Sequence, residues 1–266
     1  MKKFLKTEPD PAFARRAEII IENLELKKGD KVIDIGCGRG FYINFLSQLN
    51  LGLEIFGIDQ NEKYLKVAKK NLGGKKVFLN RGNALNLPFK ANFFDKVIAS
   101  EILEHINDDV KALEEMYRVL KPGGIILISV PNQNYPFFWD PLNWTLERVF
   151  RKHIPSHLWW LAGIWADHVR LYKERELKEK LKKAGFRIKG FWCATHFCFP
   201  FSHFILYGIG KNLVEKGLLK DFNRFYRDDN QSFFNKILLW PARKIDFLNS
   251  KDDYKVSVNL ICKAIK

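Results

Sequence analysis

The chain has few cysteines and no long apolar run at its start. Its 266 residues include only Cys37, Cys193, Cys198 and Cys262, and no two of these stand at the spacing of a metal-binding motif. We therefore expect neither a metal site nor a disulfide. In the opening residues, MKKFLKTE, charged side chains recur before an apolar segment as long as that of a signal peptide can form. We therefore expect a cytoplasmic protein, with a peripheral location at the inner membrane surface left open.

Acidic residues are outnumbered by basic ones, and the excess is uneven. The formal net charge is +15; residues 1–130 carry 21 basic and 17 acidic side chains, whereas residues 131–266 carry 24 and 13. The positive field therefore belongs mainly to the second half. A basic surface favours partners with negative charge, such as nucleic acid or a membrane surface.

The most specific local pattern is a glycine-rich turn that follows an apolar strand. Residues Val32–Ile35 run into Gly36-Cys37-Gly38-Arg39-Gly40, where glycine lets the backbone approach a ligand and the next helix offers unpaired N–H groups. A second apolar run ends at Asp59, whose carboxylate can accept hydrogen bonds from both hydroxyls of a ribose. The spacing G-x-G-x-G lacks the third glycine of the dinucleotide pattern, which weakens a pyrophosphate interpretation. The turn predicts a nucleotide-like cofactor.

This turn resembles the first motif of class I S-adenosylmethionine-dependent methyltransferases, and the likeness continues in register for about a hundred residues. Four later segments are similar to the family's ribose-binding strand end, adenine-side loop, fourth strand with its exit, and turn before the fifth strand: Gly57–Gln60, Gly82–Phe89, Phe94–Ile106 and Val119–Gly124. With five matches in the expected order the chain is similar to this family, and we expect the type that acts on small molecules or lipids.

The resemblance implies S-adenosylmethionine as cofactor and S-adenosyl-L-homocysteine as product. Ten residues are then expected at the cofactor: Asp34, Gly36, Cys37, Gly38, Gly40, Asp59, Gln60, Asn83, Ala84 and Ser100. The glycine turn would hold the amino-acid end, with Asp34 supporting the turn or capping it locally. Relatives carry aspartate where this chain has Asn83, although an amide carbonyl can still accept from the adenine amine.

A general base is required only when the acceptor must lose a proton, as a phenol, an enol or an activated ring carbon must. The candidates are Glu101 at the fourth strand's exit, His105 just beyond it, and His168 in the segment expected to cover the cleft. A lone histidine more often has a structural role, and Glu101 could equally be a solvated residue in the first turn of a helix.

Apolar runs alternate with helical patterns along the chain. Strands are predicted near 31–35, 54–58, 76–80, 94–99, 124–130, after Phe186, and over 256–265, with helices near 41–49, 61–70, 108–119 and from Lys173. This alternation predicts parallel strands with right-handed crossovers and a ligand beyond their carboxyl ends. We predict a single methyltransferase domain over residues 1–266, with an α/β, Rossmann-like, seven-stranded, mostly parallel sheet and helices on both faces.

Two insertions interrupt this pattern in the second half. Residues 131–170 form an aromatic insertion, interpreted as a lid or a small core, that includes Trp139, Trp144, Trp159, Trp160 and Trp165. The C-terminal part, 171–266, carries an apolar helical insertion over about 195–250, between the sixth and seventh strands. Apolar helices near 201–214 and 233–240 could lie in a membrane interface or pack over the aromatic insertion.

We predict S-adenosylmethionine-dependent methyl transfer to a hydrophobic small molecule or lipid-like acceptor, at oxygen or carbon. Three alternatives stay open at this point: an RNA methyltransferase that uses the basic second half, a non-catalytic membrane-surface protein, and a nicotinamide dehydrogenase. The stretch Ser100-Glu101-Ile102-Leu103 lacks the Asn/Asp-Pro-Pro-aromatic motif of many enzymes that methylate nucleic-acid amines, which makes nucleic acid the less favoured acceptor.

Overall fold

The computed structural model describes residues 5, 8, 10–158, 161–205, 247–249 and 255–266. The strands are β1 (Lys31–Ile35), β2 (Glu54–Asp59), β3 (Phe78–Arg81), β4 (Phe94–Ser100), β5 (Leu120–Pro131), β6 (Arg187–Ala194) and β7 (Asn259–Ile265). The helices are α1 (Pro11–Asn23), α2 (Phe41–Leu46), α3 (Glu62–Leu72), α4 (Asp109–Val119), α5 (Pro141–Thr145) and α6 (Glu174–Lys183). Two short 3₁₀ turns (Leu103–His105 and Gly163–Trp165) and a π-helical turn (Leu146–Phe150) complete the described elements.

The strands form one seven-stranded sheet in the order β3-β2-β1-β4-β5-β7-β6. The pairs β1–β2, β1–β4, β2–β3 and β4–β5 are parallel, and Val32 of β1 stands opposite Ile55 on one side and Lys96 on the other. The strand order reverses at β1, so a crevice is expected beyond the carboxyl ends of β1 and β4. The predicted fold is confirmed.

Strand β5 starts earlier than the sequence suggests. The segment from Lys121 to Gly124, which resembles a turn, belongs to the strand, and the pairing with β4 shifts between Phe94 and Lys96. Gly123 has φ +74°, a backbone conformation that glycine adopts without steric cost. The register shift takes up the extra residues as a bulge, which the letters Lys-Pro-Gly-Gly do not reveal.

Strand β7 runs antiparallel to β5, so the sheet is mostly, rather than wholly, parallel. The Gly123 N–H donates to the Lys266 carbonyl at 3.1 Å, and the Asn132 N–H donates to the Val258 carbonyl at 2.9 Å. The two strands therefore run in opposite directions.

Helix α3 begins directly after the carboxyl end of β2 and has defined caps at both ends. The Asn61 side chain accepts hydrogen bonds from the N–H groups of Lys63 and Tyr64, at 3.0 and 3.3 Å. Gly73 ends the helix with φ +57°. An N-cap and a left-handed C-cap fix where this helix starts and stops, and so they hold the segment after Asp59.

The chain divides into two compact units. We call residues 19–130, 174–191 and 261–266 the core unit, and residues 1–18, 131–173 and 192–260 the aromatic unit. The aromatic unit has its own apolar cluster, which consists of Ala12, Tyr135, Trp139, Ile164, Leu171, Cys198 and Val258, with Trp144 and Trp165 packed against it. Trp139, Trp144 and Trp165 of this insertion therefore supply core packing. Trp159 and Trp160 lie outside the described residues, and the organisation of 1–266 as a single domain stays a prediction.

The predicted apolar helices near 201–214 and 233–240 lie almost wholly outside the described residues, which stop at 205 and resume at 247. In the parts of the chain that the structure describes, no helix combines the length and the apolar character needed to cross a bilayer.

Candidate active site

The glycine turn after β1 is tied to the end of β2. The N–H groups of Gly36 and Cys37 both donate to the Ile58 carbonyl, at 2.8 and 3.0 Å. Gly36, Gly38 and Gly40 have φ of +77°, +51° and +85°, a conformation that explains why glycine stands at each position. A Cβ on Gly36 would lie 2.7 Å from the Ile102 side chain, whereas a Cβ on Gly38 would meet no heavy atom within 4 Å. Gly38 is therefore the position where a ligand can approach the backbone.

Asp59, the residue that we predict to bind the ribose, lies beside this turn. Its Oδ2 accepts a hydrogen bond from the Gly38 N–H at 2.8 Å, and its Oδ1 accepts one from the Asn61 N–H at 2.8 Å. Each carboxylate oxygen can accept a second hydrogen bond. The two backbone contacts orient the carboxylate while they leave acceptor capacity for a pair of hydroxyls.

Asp34, one strand away, is a buried carboxyl without full hydrogen bonding. It is 2% exposed, and its Oδ2 finds no hydrogen-bond partner among the described residues. Burial, with the negative charge of Asp59 as the second cause, raises the pKa of Asp34 to about 8. Burial also raises the pKa of the Cys37 thiol, so this group stays protonated. Two carboxyl groups close enough to repel each other fit a ligand that brings positive charge, and S-adenosylmethionine carries a sulfonium and an ammonium group.

In the predicted adenine-side loop, the Asn83 side chain that was expected to bind adenine makes a hydrogen bond within the loop. The Asn83 Oδ1 accepts a hydrogen bond from the Leu85 N–H at 2.9 Å. Asn83 is exposed and Ala84 is buried, while Gln60 is exposed and its carbonyl accepts from Arg81 Nε at 3.2 Å. One lone pair of the Asn83 carbonyl oxygen is thus committed to the loop, and one is left for an adenine amine.

Two residues of α4 anchor the same loop, and the sequence reasoning missed both. Glu115 accepts a hydrogen bond from the Leu87 N–H at 2.9 Å, and Arg118 donates to the carbonyls of Leu87 and Phe89, at 2.9 and 2.7 Å. Glu115 and Arg118 also pair with each other at 2.8 Å, which lowers the pKa of the Glu115 carboxyl. Their spacing of three residues on a helix was the only signal in the sequence.

Glu101, at the exit of β4, has a strained backbone. Its φ is +53°, which costs a residue with a Cβ roughly 1–2 kcal/mol. The Glu101 N–H donates to the Ser129 carbonyl at 3.0 Å, and the Ser129 hydroxyl donates to the Glu101 carboxylate at 3.0 Å. Backbone and side chain of one serine on β5 therefore hold this glutamate in place.

A chain of hydroxyl groups leads away from Glu101. The Ser129 and Ser100 hydroxyl oxygens are 2.9 Å apart, and the Ser100 oxygen is 3.2 Å from the Tyr42 hydroxyl. Since Ser129 donates to Glu101, Ser100 donates to Ser129 and Tyr42 donates to Ser100 when each hydroxyl gives one hydrogen bond. The prediction included Ser100 and Glu101 but missed Tyr42 and Ser129. The one sequence signal was Ser129 itself, a polar residue inside the apolar run Ile125–Val130.

The two predicted histidines belong to different units. In the core unit, the His105 side chain is 40% exposed, and its Nε2 lies 3.8 Å from the Glu104 carboxylate, which is fully buried. His168 is half-buried in the aromatic unit, where its backbone N–H donates to the Trp165 carbonyl at 3.2 Å. The catalytic roles of Glu101, His105 and His168 stay predictions.

Comparison with known proteins defines the class. A family model described as a methyltransferase domain matches residues 33–128. A demethylmenaquinone methyltransferase from Staphylococcus aureus is 30% identical over 185 residues, which cover 65% of this chain and 75% of that protein. The chain therefore belongs to the class I S-adenosylmethionine-dependent methyltransferases. The predicted family, cofactor and enzyme class are confirmed, and the dehydrogenase and non-catalytic alternatives fall away.

Solved structures agree on the fold. A methyltransferase from Thermotoga maritima superposes with a TM-score of 0.59 at 17% identity, covering 100% of this chain and 93% of that one. The cyclase SpnF gives a TM-score of 0.59 at 19% identity, covering 95% of this chain and 81% of that one. Because a protein described as a cyclase has this fold too, the fold alone does not define the reaction.

Proposed function

We propose that this enzyme transfers the methyl group of S-adenosylmethionine to an apolar small-molecule or lipid-like acceptor, at oxygen or carbon. The observation that carries the proposal is the length of the match to the S. aureus enzyme. Its 185 aligned residues exceed the span 33–128 of the methyltransferase domain model, so the likeness includes sequence outside the cofactor motifs. The name of that relative gives its acceptor as demethylmenaquinone.

The aromatic unit supports the same class of acceptor. Its apolar cluster is rich in aromatic rings, and Phe137 and Phe138 of this unit present further aromatic surface to solvent. Sites for small molecules are lined mainly by apolar and aromatic side chains. We assign acceptor binding to this unit.

The core unit holds the cofactor in this proposal. The backbone of the turn from Gly36 to Gly40 shapes the pocket for the amino-acid end, and Asp59 accepts from the ribose hydroxyls. Asp34, whose ionised form a bound cation favours, then supplies negative charge beside the turn. Asn83 and Ala84 flank the adenine, with Gln60 at the rim. When bound, the cofactor supplies a methyl group that its sulfonium has already activated. The chain then has to align the acceptor and exclude water.

Glu101 is our candidate for the group that takes the acceptor's proton. In the transfer, the acceptor atom would use an electron pair to form its new bond to the methyl carbon while the carbon–sulfur bond breaks and its electron pair stays on sulfur, and the acceptor's proton would move to the Glu101 carboxylate. The Ser129 hydroxyl donates to this carboxylate at 3.0 Å and so holds it in one position. Ser129, Ser100 and Tyr42 are positioning residues in this scheme, and His105 is the alternative base.

A transfer assay tests the proposal. Purified full-length chain is given S-adenosylmethionine with a radiolabelled methyl group and, in parallel, a demethylated quinone with an isoprenoid tail or RNA. We expect label in the quinone fraction. Asp59→Ala should weaken cofactor binding by about tenfold to a hundredfold, since charge-assisted hydrogen bonds contribute roughly 1.5–3 kcal/mol. Glu62→Ala, which removes an exposed carboxylate three residues away, should leave binding unchanged.

Two results would contradict the proposal. Label found only in RNA would move the acceptor to nucleic acid. Unchanged cofactor affinity in Asp59→Ala would remove the ribose assignment while leaving the acceptor class standing.

A further inference from the structure

One helical segment of the aromatic unit places apolar and basic side chains together in solvent. Val149 is 64% exposed, Phe150 is 63% exposed, and Leu142, about two helical turns earlier, is 42% exposed. Arg151 and Lys152 follow directly and are also exposed. We call Leu142, Val149, Phe150, Arg151 and Lys152 the apolar-basic tip.

The acidic side chains of this segment do not reach the tip. Glu147 accepts a hydrogen bond from the Trp165 indole N–H, and burial raises its pKa. Asp140 is fully buried and accepts from the Asn143 side chain at 2.7 Å and from the Ile164 N–H at 2.9 Å. Neither Arg151 nor Lys152 pairs with a carboxylate in the described part of the chain. The tip therefore presents uncompensated positive charge beside apolar surface.

The backbone holds these side chains outward. The π-helical turn Leu146–Phe150 ends at Arg151, which has φ +54°. The N–H groups of Arg151 and Lys152 donate back to the carbonyls of Glu147 and Leu146, at 3.1 and 3.3 Å. These hydrogen bonds fix the turn in which the chain reverses direction after Phe150. Val149 and Phe150 are therefore held at the end of the helical segment. Grouped apolar side chains that a fold holds in water indicate a contact surface.

We propose that the apolar-basic tip docks on a lipid bilayer that contains anionic lipids. Apolar side chains enter the boundary between headgroups and acyl chains, and basic side chains pair with the negative headgroups. A stable protein partner usually needs about 20–30 residues on each side of an interface, and the tip has far fewer. The charge of the tip and its small size both fit a bilayer surface.

This inference does not rest on the acceptor proposed above, because vesicle binding is measured without cofactor or acceptor. The full chain is sedimented with vesicles of phosphatidylcholine alone or mixed with phosphatidylglycerol. We expect binding to the mixed vesicles, and we expect it to weaken as salt is added, since salt screens exposed charges. Binding to neutral vesicles should be weaker.

Two double variants locate the surface. Val149→Ser/Phe150→Ser should lower partition into the mixed vesicles by about tenfold or more, because both apolar side chains lose their burial. Arg151→Glu/Lys152→Glu should lower it by at least about tenfold and abolish the salt dependence.

Two control variants make the same chemical changes at exposed sites of the core unit: Val67→Ser/Phe78→Ser and Lys69→Glu/Lys70→Glu. Both should bind as the parent chain does. Circular dichroism confirms that each variant is folded.

Three outcomes would overturn the inference. In the first, folded tip variants bind vesicles as well as the parent chain. In the second, the parent chain binds neither kind of vesicle. In the third, the parent chain is a dimer in sedimentation velocity and Val149→Ser/Phe150→Ser makes it monomeric, which would show that a second copy covers the tip. Quinone methylation in the tip variants, measured with a short-tailed acceptor in solution, reports on the proposed function separately.

Discussion

Replacing Asp34 with asparagine tests whether the pocket is built to receive positive charge. The pKa of Asp34 is raised to about 8 by burial and by Asp59. A carboxyl with that pKa is about nine-tenths protonated at pH 7 and about one-tenth protonated at pH 9. A bound cation favours the ionised form, so cofactor binding at pH 7 should expel up to about 0.9 proton per site, falling to about 0.1 at pH 9.

Calorimetry can count this proton. Cofactor binding is measured at each pH in two buffers with different ionisation enthalpies, and the difference in heat gives the protons released. The parent chain should show the fall between pH 7 and pH 9, and Asp34→Asn should lack the part due to this residue. Heats that do not depend on the buffer at pH 7 would contradict this prediction, because they would mean that Asp34 is already ionised in the free enzyme or stays protonated in the complex.

The same shift predicts how the stability of the free enzyme depends on pH. The pKa of Asp34 in the folded chain lies above its ordinary value of 3.8, so the folded state holds a proton that the unfolded state has lost. Between about pH 4 and pH 8 this residue therefore lowers the free energy of unfolding by up to about 1.4 kcal/mol for each unit that the pH rises. Denaturant titrations from pH 5 to pH 8 should show a shallower decline for Asp34→Asn than for the parent chain. Equal slopes would contradict the assignment.

Three further changes test the glycine turn, the adenine loop and the candidate base. Gly38→Ala and Gly52→Ala both put a Cβ at positive φ in open space, so both should destabilise the fold by about 1–2 kcal/mol, but only Gly38→Ala should weaken cofactor binding in calorimetry. Asn83→Asp should tighten binding about threefold to tenfold, because a carboxylate can accept from both the Leu85 N–H and the adenine amine; weaker binding would remove Asn83 from the adenine site. Glu101→Gln should lower kcat by about a hundredfold or more with cofactor affinity unchanged; an unchanged kcat in this variant would favour His105 as the base.

The sequence predicted the sheet well because an apolar run and the glycine or polar residues that end it are neighbours in the chain. The run Val32–Ile35 before a glycine turn and the run ending at Asp59 both became strands at the expected positions. The start of β5 was less predictable, since Lys121-Pro122-Gly123 is typical of a turn and enters the sheet only through a bulged pairing with β4. Such pairing depends on a neighbouring strand, which a local pattern does not contain.

The contacts around the predicted site were harder to foresee, because they join residues far apart in the chain. Ser129 meets Glu101 across 28 positions, and Tyr42 meets Ser100 across 58. Asn83 illustrates a different limit. Its side-chain carbonyl was expected to bind the ligand, yet it accepts a hydrogen bond from the Leu85 N–H of the same loop. Short polar side chains commonly bond to nearby backbone in this way, so residue type alone does not separate the two uses.

The backbone of Glu101 explains why this residue deserves the closest experimental test. Glutamate is a poor choice for φ +53°, and glycine or asparagine would adopt that conformation at lower cost. The strained conformation persists because Ser129 satisfies both the N–H and the carboxylate of Glu101, while Ser100 and Tyr42 extend the chain of donors behind it. Backbone strain at the carboxyl edge of a parallel sheet, held by hydrogen bonds to a neighbouring strand, is commonly associated with functional sites. The same contacts that offset the strain also fix the position of the carboxylate that we propose as the base, because the Ser129 hydroxyl donates to it directly.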